Sequence, residues 1–192
     1  MVETISKGAL LKRINAYMSL VSLALLFIHS GYETAAYILY YYNPVLSKLT
    51  GWGMAASVLI HAVISVVSLF AVHDSKSIMY IRLNMETFLQ RICAALILCL
   101  LPVHILTFAI LKNTAGNVIA AVLTEGAAVI FYAAVYMHAA ISFGKSLITL
   151  GRIEKEKTMK KVNIISTTAC LILFAITITV ILSTHIKMFY VN

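Results

Sequence analysis

Five long apolar stretches dominate the chain, at about Ile14–Tyr42, Trp52–Val72, Phe88–Leu111, Asn117–Leu150 and Val162–Ile186. Each reaches the roughly 20 residues that a helix needs to cross hydrocarbon. The sequence has no run of ten-residue alternating segments of the kind that builds a membrane β-barrel, and helices are the other way to satisfy a backbone in lipid. The pattern therefore predicts an all-α integral membrane protein, with residues 1–192 forming one transmembrane domain of five spans. Asn43-Pro44 reads as the close of the first helix, and Gly51 and Gly53 as the approach to the second. Tyr40, Tyr41, Tyr42 and Trp52 fall where an interfacial aromatic belt would sit. The first stretch lacks a small-residue cleavage site after a short apolar core, so it is not read as a removable signal peptide.

Composition agrees with this pattern. Of the 192 residues 61% are hydrophobic and 11% charged, against about 45–50% and about 25% in soluble domains. That excludes a soluble enzyme, a disordered tail and a nucleic-acid-binding domain. The net charge of +8 is explained by its distribution. Lys7, Lys12, Arg13, Lys76, Arg82, Arg91, Lys145, Arg152, Lys155, Lys157, Lys160 and Lys161 fall on one side of the five-span topology, and only Lys48, Lys112 and Lys187 on the other. The positive-inside bias then predicts an N-terminus in the cytoplasm (or matrix) and an external C-terminus, and the chain is expected in the cell's inner membrane. The run Arg152–Lys161 reads as a solvated cytoplasmic connection that could also touch anionic lipid or a partner.

Within so apolar a chain the few intramembrane polar residues carry the functional information. His29, His61, His104 and His138 fall inside the first four spans, one to each. Neutral imidazole is a common haem-iron ligand, and helix bundles hold cofactors between facing helices. Two histidines can clamp one haem from both sides, so four suit two haems. A zinc or dinuclear site would instead want carboxylates among the histidines, or two histidines one turn apart on one helix, and none of the four has a second histidine three or four residues away. Ser22, Ser65, Ser68 and Ser142 lie on the histidines' own helix faces, where a flat macrocycle needs small neighbours and ordinary helix packing also uses them. Depth does not pair the histidines: at 1.5 Å per residue all four lie roughly 20–24 Å from the basic or acidic residue that ends their span. His73, beside Asp74, and His185 lie near span ends and read as interfacial side chains that reach water. Cys93, Cys99 and Cys170 lie within spans and read as structural.

The order of four histidines on the first four of five spans resembles the di-haem cytochrome b anchor of succinate dehydrogenases and fumarate reductases, the membrane subunit of complex II. The third span opens with Gln90-Arg91 and reaches His104. The fourth reads His138-Ala-Ala-Ile-Ser-Phe-Gly-Lys145 and runs on to Gly151. Leu59-Ile-His61-Ala-Val is similar to the family's second helix, and Lys12-Arg13 followed by His29 to its first. The likeness in architecture covers nearly the whole chain, although the local motifs are short. It implies that the first four helices form a haem-binding bundle for two haem b groups. His61 and His138 would hold the haem nearer the cytoplasm, and His29 and His104 the outer one. It further implies a flavoprotein and an iron–sulfur subunit docked on the cytoplasmic face, and a membrane quinone, menaquinone or ubiquinone, as electron partner. Gln90 belongs to the family-like start of the third helix, and Arg13, Arg91 and Lys145 are candidate partners of haem propionates, because buried carboxylates need cations. Some di-haem members carry a glutamate two residues before the fourth-helix histidine, linked to transmembrane proton transfer. This chain has Tyr136 there, so the likeness does not extend to that route. Glu33, four residues after His29, and Glu125, near the outer end of the fourth span, are candidate acids for quinone-linked proton transfer. The anchor of a hydrogenase or formate dehydrogenase, or a haem-free transporter or scaffold with histidine proton relays, is the alternative.

Overall fold

The computed structural model describes residues 7–71, 85–114 and 116–190, and these form five helices with no strand. They are α1 (Lys7–Leu39), α2 (Pro44–Ala71), α3 (Met85–Asn113), α4 (Val118–Thr149) and α5 (Glu156–Tyr190). All five are long and apolar enough to cross a membrane. His73, Asp74, Lys76 and Arg82 lie outside the described residues.

Consecutive helices run antiparallel. Between α1 and α2, Ser65 pairs with Asn15, Ser57 with Ser22, Thr50 with His29 and Ser47 with Glu33, so one helix is climbed as the other is descended. The end of the bundle holding the α4–α5 connection is called the basic end here, and the opposite end the far end. α4 lies at the centre, packed on α3, α5 and α1. Its Phe131, Ala134, Val135, Tyr136, Ala139 and Ala140 form the middle of the core, with Leu26 of α1, Cys93 and Ile97 of α3 and Cys170 of α5. Alanines at this seam allow the close backbone approach on which helix association in lipid depends. Gly144 extends the same logic: a Cβ there would collide with the Asn163 side-chain oxygen, so α5 closes on α4 because that Cβ is missing.

The second helix differs from the sequence expectation. It begins at Pro44, eight residues before Trp52, and Gly51 and Gly53 lie inside it. Asn43 caps it, its Oδ1 accepting from the backbone N–H groups of Val45 (3.0 Å) and Leu46 (3.2 Å). Asn at the cap followed by Pro at the first helical position is a starting signal as much as a stopping one. The chain reverses through Tyr40, whose φ of 52° is left-handed, and the Tyr32 hydroxyl holds the turn by donating to the Asn43 carbonyl (3.0 Å). The fifth helix also starts early, at Glu156, so residues 156–161 of the Arg152–Lys161 run are helical and carry an exposed Glu156–Lys160 pair.

Candidate functional site

The four intramembrane histidines fall at two levels. His61 and His138 lie in the basic half of the bundle, with ring centroids 6.4 Å apart and planes at 75°. His29 and His104 lie in the far half, within electrostatic reach of each other. Each level takes one histidine from the α1–α2 hairpin and one from the α3–α4 pair.

At the basic level His138 is fixed by its neighbours. Its Nδ1 lies 3.0 Å from the backbone carbonyl oxygen of Gln90. A carbonyl only accepts, so Nδ1 carries the proton and Nε2 keeps its lone pair, as a metal ligand requires. The Gln90 side chain extends this network. Its Nε2 donates to Ser142 Oγ (2.8 Å), and its Oε1 accepts from Lys145 Nζ (3.2 Å). Lys145 also donates to Thr87 Oγ1 (2.9 Å), so its ammonium is held between α3 and α4. Opposite, His61 Nδ1 is buried without a partner among the described residues. A ring clamp on one iron needs two metal–nitrogen bonds of about 2 Å and two ring centre-to-nitrogen distances of about 1.1 Å, a centroid separation of about 6.2 Å. The observed 6.4 Å is close to that distance.

At the far level His29 Nδ1 lies 3.3 Å from Thr50 Oγ1. That hydroxyl directs its own proton to the backbone carbonyls of Leu46 (3.0 Å) and Ser47 (3.1 Å), so it accepts from His29 and again leaves Nε2 bare. Gly51 lies against this imidazole: a Cβ there would touch His29 Cε1 at 3.4 Å, an ordinary contact. His104 stacks on Phe131 (4.6 Å, 14°) and meets the Tyr132 hydroxyl at 3.4 Å. Pro102 interrupts the backbone ladder of α3 two residues before His104.

The other candidates divide. Arg13 and Arg91 are exposed on the basic half of α1 and α3. Glu33 accepts from Ser47 Oγ (2.6 Å) and so ties α1 to α2. Three of the four serines chosen as small neighbours do more than leave space: Ser22 bonds Ser57 (2.6 Å), Ser65 donates to Asn15 (2.9 Å) and Ser142 accepts from Gln90. Ser68 Oγ is buried without a partner among the described residues. Tyr136 bonds Thr177 Oγ1 (2.9 Å) and pins α4 to α5. Among the described residues no three His, Cys, Asp or Glu side chains converge on one point.

His185 corrects the sequence reading. It does not reach water: it is 4% exposed, and its Nδ1 lies 2.8 Å from Glu125 Oε1. Tyr37 and Phe189 pack edge-on against its ring. The sequence offered no signal for this pair, because its members lie 60 residues apart on different helices. No protein-family model, curated protein or solved structure matches the chain.

Proposed function

We propose that the chain is the cytochrome b membrane anchor of a succinate:quinone oxidoreductase, a succinate dehydrogenase or fumarate reductase. The observation that carries this reading is the His61–His138 pair: two imidazoles on facing helices at the spacing of an iron clamp, with His138 Nδ1–H tied to a carbonyl so that Nε2 is left for metal. In this reading His61 and His138 hold one haem b, and His29 and His104 the other. Haem supplies one-electron transfer when bound. The protein's own work is to fix the imidazole tautomers, through Gln90 and Thr50, and to keep the rings in an apolar interior. Arg13 and Arg91, exposed at the basic end, suit propionate carboxylates, and Lys145 contributes its charge from within the Gln90 network. The basic end faces the cytoplasm by the positive-inside bias, and a flavoprotein and an iron–sulfur subunit dock there. Quinone exchanges electrons and protons with the anchor, with Glu33 and Glu125 as the acids nearest the far end. No dicarboxylate chemistry belongs to this chain.

A reduced-minus-oxidised spectrum of the purified protein tests the reading, and the expected result is a b-type band from two haems per chain. Absence of that band sinks the haem assignment and favours a haem-free transporter or scaffold. Identifying the co-purifying subunits then separates the respiratory anchors. A partner with covalent flavin supports complex II, whereas a nickel or molybdenum partner points to a hydrogenase or formate dehydrogenase.

A further inference from the structure

Three of the four intramembrane histidines have a partner on Nδ1, and one of those partners differs in kind. His138 Nδ1 faces a backbone carbonyl. His29 Nδ1 faces a hydroxyl whose proton is already given to backbone carbonyls. Both partners can therefore only accept. His104 Nδ1 faces the Tyr132 hydroxyl at 3.4 Å, and that hydroxyl has no other hydrogen-bond partner among the described residues. Its proton is free to go to Nδ1. A phenol is also a better donor and a poorer acceptor than an aliphatic hydroxyl, because the ring draws electron density from its oxygen. If Tyr132 accepted from Nδ1–H instead, its own proton would be left without a partner where Tyr132 packs against the core. His104 lies flat on Phe131 (4.6 Å, 14°) and meets Tyr132 edge-on (5.4 Å, 83°). Stacking thus fixes the imidazole plane, and the hydroxyl fixes the edge turned toward it.

We propose that Tyr132 is a positioning residue that latches His104 in the tautomer unsuited to metal: its O–H donates to Nδ1, so the imidazole carries its proton on Nε2. Nε2 can bind iron only after that proton has left it and Nδ1 has gained one, with the Tyr132 hydroxyl turning from donor to acceptor. The hydroxyl's own proton then loses its partner. That loss lowers the affinity of the far level for iron. The basic level, where His138 faces a pure acceptor, has no such latch. The proposal rests on the haem reading above and adds a control that acts on one level only.

The test is NMR of haem-free protein labelled at the histidine nitrogens, in lipid nanodiscs, followed by haem titration of the same samples. The His104 signals are assigned by their loss in His104→Gln. In the parent, Nε2 should be the protonated nitrogen of His104. In Tyr132→Phe, which keeps the ring and its packing, the form protonated on Nδ1 should appear. Far-level haem affinity, read alone on a His61→Ala background, should then rise about tenfold with Tyr132→Phe. Basic-level affinity, read on a His104→Ala background, should stay within about twofold. A parent His104 already protonated on Nδ1 overturns the latch, and with haem uptake it leaves the haem reading standing. Unchanged or weaker far-level binding by Tyr132→Phe also overturns it, because the phenol would then be an ordinary support. The expected tautomers with no haem uptake by parent or variant support the Tyr132 assignment and remove the haem reading.

Discussion

The two histidine levels are built from the same parts and secured differently. At the basic level His138 is held by a backbone carbonyl, that of Gln90, inside a network that also ties Ser142, Lys145 and Thr87 across α3 and α4. At the far level His29 is held by a side-chain hydroxyl, Thr50, and lies against Gly51 in the α1–α2 hairpin. A carbonyl cannot be removed by an ordinary substitution, whereas a hydroxyl can. The basic level is therefore robust to side-chain change in its supporting residue, and the far level is sensitive to it. Both levels bridge the same two units, so each tests the other.

On the proposed haem reading, the largest effect comes from the four histidines. His61→Ala or His138→Ala should remove the basic-level haem, and His29→Ala or His104→Ala the far-level one, each lowering haem content by about half. His73→Ala and His185→Ala should leave it unchanged. Pyridine haemochrome stoichiometry on the purified protein reads this directly. Loss of all haem from each single variant would show that the levels do not bind independently. Gly51→Leu follows in size. The Cβ alone would already touch His29 Cε1 at 3.4 Å, so the three further carbons of leucine crowd the imidazole. Overpacking of this kind costs about 1–3 kcal/mol, and only the far-level haem should be lost.

Some of this arrangement was legible in the sequence. Apolar length alone identified five spans, because no other backbone structure suits stretches such as Phe88–Leu111 in lipid. One histidine per helix was visible for the same reason, since polar residues stand out in an apolar run. Two features were not visible. Asn43-Pro44 ends one helix and starts the next, and its capping role shows only once Asn43 Oδ1 is seen to accept from Val45 and Leu46. Gly51 and Gly53 look like breakers, yet membrane helices tolerate glycine, and Gly51 serves His29 from inside α2. The pairing of the histidines and the burial of His185 depend on which helix faces meet, and no spacing within a single helix records that. Tyr37, Glu125 and His185 come from three different helices.

Thr50→Val should produce a moderate effect. It preserves shape and removes the acceptor that fixes the His29 tautomer. Loss of such a supporting partner typically weakens metal binding by about 10–100-fold. Haem titration into the apoprotein should show the far level weakened and the basic level unchanged.

The smallest effect is expected where the network is largest. Gln90→Ala deletes the bonds to Ser142 Oγ and Lys145 Nζ, yet the backbone carbonyl that accepts from His138 remains. Lys145 keeps Thr87 as a partner, so no buried charge is left alone. The variant should lose about 2 kcal/mol of stability, about 1 for each of the two side-chain hydrogen bonds, and keep its basic-level haem affinity within about threefold. Thermal unfolding in detergent and haem titration measure the two separately. If Gln90→Ala emptied the His61–His138 level while Thr50→Val left His29–His104 intact, the order of robustness would be reversed. The tautomer of His138 would then depend on the Gln90 side chain holding α3 against α4, because the carbonyl reaches Nδ1 only while those helices keep their spacing.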